Sequence, residues 1–207
     1  MIIGSLPPPI IGPTLATEHL LKFQKLYDHF NIIFCDISDH RDAGSVGKFD
    51  ILNAALAFVH IIKCNFLILM RRPDIVYCGI SQGMWGYMRD LGLLLPAMFL
   101  KKKIVLHLRG SEFPVFYTQM PAFFRFLTRH LFNRTSRLIV LGSAIKTKFN
   151  GLIDHSRIEV IPNGINFKKF TAPLAYTNGT TEISKILYLS SLKHRKGIFE
   201  FLQSMSH

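Results

Sequence analysis

Cysteine and acid are both scarce in this chain. Its 207 residues include three Cys, and 13 Asp and Glu stand against 25 Lys and Arg, for a net charge of +12. Cys35, Cys64 and Cys78 show neither metal-ligand nor Cys-x-x-Cys spacing. An odd number cannot all pair within the chain, so the simpler expectation is reduced thiols in a reducing, cytoplasmic compartment. A signal peptide is not expected, because the start lacks a basic region with an apolar run and Pro7-Pro8-Pro9 would interrupt one. The stretch that looks most membrane-like, Gly79 to Leu100, contains Arg89, Asp90 and Pro96 and is too broken to span, so no transmembrane helix is expected. Neither a Gly-x-Gly-x-x-Gly dinucleotide fingerprint nor a Walker pattern occurs, and no internal repeat is visible.

Apolar material dominates instead. Aliphatic, aromatic and Cys residues make up 49% and charged residues 18%, which excludes a disordered or collagen-like chain and favours a large core. Most of the 18 Phe should lie in that core, since burying one is worth roughly 1.5 to 3 kcal/mol. The cations cluster: Lys101 to Lys148 carries ten Lys or Arg against Glu112 alone. Such a field fits nucleic acid, an anionic membrane surface or phosphorylated substrates, or it is a solvated basic face. No nucleic-acid-binding module accompanies the charge, so nucleic acid is not the expected partner.

Short apolar runs alternate with helical patterns. Strands are predicted at Ile2–Gly4, Ile32–Cys35, Ile75–Cys78, Ile104–Leu108, Leu138–Leu141, Ile158–Ile161 and from Ile186, because each run is bounded by turn residues. Helices are predicted from about Thr14, with Ala16, Leu20, Phe23, Tyr27 and Phe30 on one face, and over Val46–Leu69, Gly83–Leu100, Pro121–Phe132 and Ser143–Phe149. This rhythm predicts an α/β fold, a doubly wound parallel Rossmann-like sheet with helices on both faces. The expected organisation is a domain over residues 1–170, a polar linker over 171–185, and over 186–207 the first strand and helix of an incomplete second α/β domain.

In an open parallel sheet, ligands bind beyond the carboxyl ends of the strands. Several of these runs end in residues suited to phosphate or sugar. The loop Leu6-Pro-Pro-Pro-Ile-Ile-Gly-Pro-Thr precedes a helix, so Gly12, Pro13 and Thr14 either bring backbone and a helix N-terminus to a ligand or form a rigid turn with a Thr cap. His107 and Arg109 are two apart at a strand end and share a face, ahead of Gly110-Ser111-Glu112; a general base, a hydroxyl partner or a phosphate clamp are all open to them. Ser143 reads better as a helix N-cap. Asn163 and Gly164 form a turn at the same edge. The basic turn containing Ser191, Arg195 and Lys196 suits a diphosphate or is solvated.

In this order and spacing, the segments resemble glycosyltransferase family 4, a group of retaining GT-B enzymes. The resemblance is carried by Pro7-Pro-Pro-Ile-Ile-Gly-Pro-Thr, Leu108-Arg-Gly-Ser-Glu, Ile139-Val-Leu-Gly-Ser, Val160-Ile-Pro-Asn-Gly-Ile-Asn and the turn ending in Lys196-Gly197. It implies an N-terminal acceptor-binding domain and transfer from a nucleotide sugar, UDP- or GDP-linked, to a glycan or lipid-linked acceptor without a metal or other cofactor. On that basis His107 and Arg109 would be catalytic. Gly12, Pro13, Thr14, Ser111, Glu112, Asn163, Gly164, Ser191, Arg195 and Lys196 would bind donor or acceptor. The resemblance further implies polysaccharide synthesis in the cytoplasm or on the inner face of the membrane. Three departures are visible: Arg109 stands where the family often has His, Ser191 stands at a family Arg, and the family's paired glutamates would lie beyond His207. The expectation is therefore a fragment with little activity alone, the alternative being a non-catalytic remnant that binds an acceptor or a membrane surface.

Overall fold

In the computed structural model, the described residues are 1–40, 51–164, 186–189 and 196–205. Met1–Gly164 forms one compact unit and Ile165–His207 a second. The first unit runs β1 (Ile2–Gly4), α1 (Gly12–Leu21), α2 (Gln24–His29), β2 (Phe34–Asp36), α3 (Ile51–Arg71), β3 (Ile75–Gly79) and α4 (Met84–Phe99). It continues with β4 (Lys103–His107), α5 (Phe113–Gln119), α6 (Ala122–Arg134), β5 (Thr135–Val140), α7 (Ser143–Lys146) and β6 (Ile158–Val160). The six strands are all parallel in the order β2-β1-β3-β4-β5-β6. This is a Rossmann-like parallel α/β fold.

The sheet's two faces are covered unequally. Val76, Cys78, Ile104, Leu106, Leu138 and Val140 are fully buried on the face that receives α3, α4 and α6. Helix α3 packs on β2 and α4, and α4 packs on β4 and α6. Right-handed crossovers from β2 through to β5 put all three helices on that side. On the other face Tyr77, Val105, His107 and Ile139 are half-buried. Helix α1 lies on this second face, so close that a Cβ added to Gly4 would come within 2.9 Å of Thr17; the absence of a side chain permits the contact. At the other end of the core, Phe113, Phe132 and Phe149 stack with ring centroids 5.5 to 6.0 Å apart, and Tyr87 meets Phe113 edge-on.

Several expectations are corrected. The first predicted helix is two, separated at Lys22–Phe23, and Phe23, Tyr27 and Phe30 are exposed rather than facing the core. Helix α5 lies in a stretch to which the sequence assigned no element; Pro114 falls in its first turn, where a missing N–H costs nothing. Among the described Phe, only Phe113, Phe132 and Phe149 are buried, whereas Phe23, Phe30, Phe58, Phe66, Phe99, Phe123, Phe126 and Phe199 are exposed. The helix predicted over Gly83–Leu100 is present as α4, Met84–Phe99, with Asp90 buried in it. The long apolar outward helix is instead α3, with a mean hydropathy of 1.8. The thiols are not all free: Cys35 of β2 and Cys64 of α3 form a disulfide with Cα atoms 6.1 Å apart, leaving Cys78 buried and unpaired.

In the second unit, Ile186–Leu189 is not a strand, since a strand needs a pairing edge and no described residue supplies one. Ile198–Ser204 is a helix, α8, as the pattern after Lys196 predicts. Tyr188 donates its hydroxyl to the Lys196 carbonyl at 2.7 Å and packs on Phe201.

Candidate functional site: an anion-accepting cleft at the switch point

Strand order reverses direction between β1 and β3, and that is where parallel sheets open a crevice at their carboxyl edge. A cleft of about 390 Å³ occupies this position. Its walls come from the end of β1 (Gly4, Ser5), α1 (Pro13, Thr17), the turn after β3 (Ser81, Gln82), the first turn of α4, His107 at the end of β4 and Arg109 just beyond it.

The face shared by His107 and Arg109 is the one that carries α1, and the pairing register brings Tyr77 to it. Gly79 pairs with His107, so Tyr77, two residues earlier in β3, points the same way. A hydrogen-bonded relay results. Arg109 donates through Nη2 to the Tyr77 hydroxyl at 3.2 Å and through Nη1 to the Pro13 carbonyl at 2.5 Å. The Tyr77 hydroxyl lies 2.6 Å from His107 Nδ1. Burial raises the Tyr77 phenol above its ordinary pKa, outweighing the opposing Arg109 charge, so the hydroxyl keeps its proton. With the Arg109 N–H donating to its oxygen, pairing that proton requires donation to Nδ1 of His107. The imidazole then carries its hydrogen on Nε2.

Burial, and secondarily the Arg109 charge, lowers the His107 pKa from 6.5 to about 4. At neutral pH His107 is therefore a neutral donor and a weak base, which narrows the roles open to it. Its Nε2 and the Nε of Arg109 are buried without a hydrogen-bond partner. Among the described residues, no carboxylate pairs with Arg109. Two unspent N–H groups, and a guanidinium with no carboxylate partner among the described residues, thus belong to residues that line one cleft, an arrangement suited to an anion.

Helix α4 adds to this field. Its first turn lines the cleft, and the backbone N–H groups at that end point along the positive end of the helix dipole. The turn between β3 and α4 is held by a buried acid: Asp90 accepts from the Ser81 backbone N–H at 2.7 Å and from Arg89 at 3.1 and 2.9 Å. Gln82 fastens the neighbouring loop, its Oε1 accepting from the Glu112 backbone N–H at 2.7 Å. A Cβ on Gly110 would overlap the Gln82 amide, so a side chain there would have to push that amide aside.

The structure gathers some of the sequence-derived site residues and separates others. His107, Arg109 and Pro13 line the cleft; Gly12 and Thr14 do not. Gly12 starts α1 with open space around it. The Thr14 hydroxyl is spent on the loop, donating towards the Pro9 and Ile11 carbonyls at 2.7 and 2.9 Å. Ser111 and Glu112 are exposed ahead of α5. Asn163 and Gly164 follow β6, an edge strand separated from β4 by β5, so Asn163 does not join the cleft. Ser191 and Arg195 lie outside the described residues, and Lys196 belongs to the second unit.

Sequence reasoning missed Tyr77, Gln82 and Asp90. Asp90 did leave a signal, as the one acid in an otherwise apolar helical stretch, which must find partners when buried. No protein-family model and no curated protein sequence matches the chain.

Proposed function

We propose that residues 1–164 are the acceptor-side, Rossmann-like half of a GT-B glycosyltransferase of the family 4 type, and that the switch-point cleft receives a phosphate-bearing substrate of sugar transfer. The observation that carries this reading is the Arg109 guanidinium, held by Tyr77 and the Pro13 carbonyl with its Nε and the Nε2 of His107 left unpartnered. Fixed donors of this kind favour negative charge, because they need no reorganisation when it develops. Within this reading Arg109 binds phosphate and offsets charge on it, and His107 donates a hydrogen bond from Nε2. General-base chemistry by His107 is disfavoured by its low pKa. The motif resemblance supplies the reaction class; the cleft supplies the ligand chemistry.

The test is calorimetric titration of the chain with UDP-sugars, GDP-sugars, inorganic pyrophosphate and an uncharged sugar. Phosphate-bearing ligands should bind and the uncharged sugar should not. Arg109→Ala should weaken binding by at least tenfold, about the worth of one charge-assisted hydrogen bond. Equal binding by wild type and Arg109→Ala would refute the role given to this residue.

A further inference from the structure

The geometry points to α3 as a membrane-docking helix whose outward side lies in the interfacial layer of an anionic lipid bilayer, with cations at its C-terminal end meeting the headgroups. This inference stands apart from the sugar-transfer reading and uses none of its residues.

Helix α3 is 21 residues long, and 11% of its most apolar window is buried. Its exposed residues include Phe58, Val59, Ile62, Phe66, Leu69 and Met70, which recur at helical spacing and form one stripe. No Asp or Glu occurs from Ile51 to Arg71. The opposite side is committed to the fold: Cys64 and Ile68 are fully buried, and Cys64 is bonded to Cys35. A helix tied along one side to the sheet and to α4 cannot be encircled by lipid, so α3 lies in the bilayer surface and does not cross it.

Charge identifies the occupant. Arg71 ends α3 and Arg72 follows it, while Lys101 and Lys102 lie between α4 and β4 and Lys103 starts β4. Lys102 donates through Nζ to the Arg72 carbonyl at 3.1 Å, which joins the two turns into one cluster of five cations beside a single acid, Asp74. Phe99 and Leu100, also exposed, adjoin the lysines. An apolar stripe ending in cations matches acyl chains beneath anionic headgroups. A second copy docked through the same face would bring the same cations, and its α3 carries no acid to meet them. The sequence left the segment Lys101–Lys148 open between an anionic partner and a solvated basic face, but Arg109 lies at the carboxyl edge of the sheet and Lys101–Lys103 at the amino edge, so the cations do not form one surface.

The experiment is co-sedimentation of the full 207-residue chain with phosphatidylcholine vesicles, with and without phosphatidylglycerol. Binding should require phosphatidylglycerol and weaken as salt rises, because exposed charges are screened beyond about 8 Å at physiological ionic strength. Arg71→Gln and Arg72→Gln should each weaken binding about fivefold. Phe58→Glu with Phe66→Glu should abolish it; these side chains are 64% and 62% exposed, so the fold should survive, and an unchanged melting profile verifies that. Failure of the wild type to bind, equal binding to neutral and anionic vesicles, or full binding by the Glu variant would each overturn the inference. So would a dimer that the Glu variant disperses and that ignores vesicles.

Discussion

Acidification should destabilise the protein through His107 well above the pH at which carboxylates titrate. The imidazole is held neutral in the fold, with a pKa of about 4 against 6.5 when free. Between those values the unfolded chain binds the proton and the folded chain does not, so stability is full above pH 6.5 and falls as the pH drops towards 4. The whole displacement would correspond to about 3 kcal/mol. His107 is only part-buried, and solvent screening reduces the expected loss to about 1 to 2 kcal/mol. His60 is also lowered, chiefly by burial, and contributes in the same direction. Urea unfolding of wild type and His107→Gln across this range isolates the His107 share as a difference, and NMR titration of the ring gives its pKa directly. Arg109→Ala should move that pKa upwards by removing the second cause. A His107 pKa near 6.5, or identical pH profiles for wild type and His107→Gln, would refute the reasoning.

Two further substitutions probe the packing that holds the cleft and the sheet edge. Gly110→Ala should displace Gln82 and cost the exposed Glu112 N–H its acceptor, lowering stability by about 0.5 to 1.5 kcal/mol in urea unfolding; a neutral outcome would mean that the loop is not packed as described. Reduction of the Cys35–Cys64 disulfide, whose sequence separation is 29, should cost up to about 3.6 kcal/mol by loss of loop constraint. Melting with and without reductant, compared with Cys64→Ala, measures it, and reductant-independent melting would argue against the bond.

The strand-helix rhythm was legible because strands buried in a parallel sheet read as short continuous apolar runs. Five of the six strands lie within two residues of their predicted bounds, and β5 starts three residues early. The His107–Arg109 pair was legible because side chains two apart in extended chain share a face. Other features depend on contacts that no local pattern encodes. The partnership of Tyr77 with His107 follows from the β3–β4 register, and the Cys35–Cys64 bond from α3 crossing back over β2. Asn163 looked equivalent to the other strand-end residues, but strand order carries it to the sheet edge. The break between α1 and α2 has no Gly or Pro to mark it, and the outward Phe residues of α3 share the apolar pattern of a core helix.

A crystal structure of the chain with a UDP- or GDP-sugar at saturating concentration tests the central claim most directly. The account predicts phosphate oxygens at the carboxyl ends of β1, β3 and β4, within hydrogen-bond distance of Arg109 Nε and His107 Nε2, with the relay through Tyr77 retained. Ligand bound elsewhere in Met1–Gly164, or an empty cleft with Arg109 swung out to solvent, would contradict it.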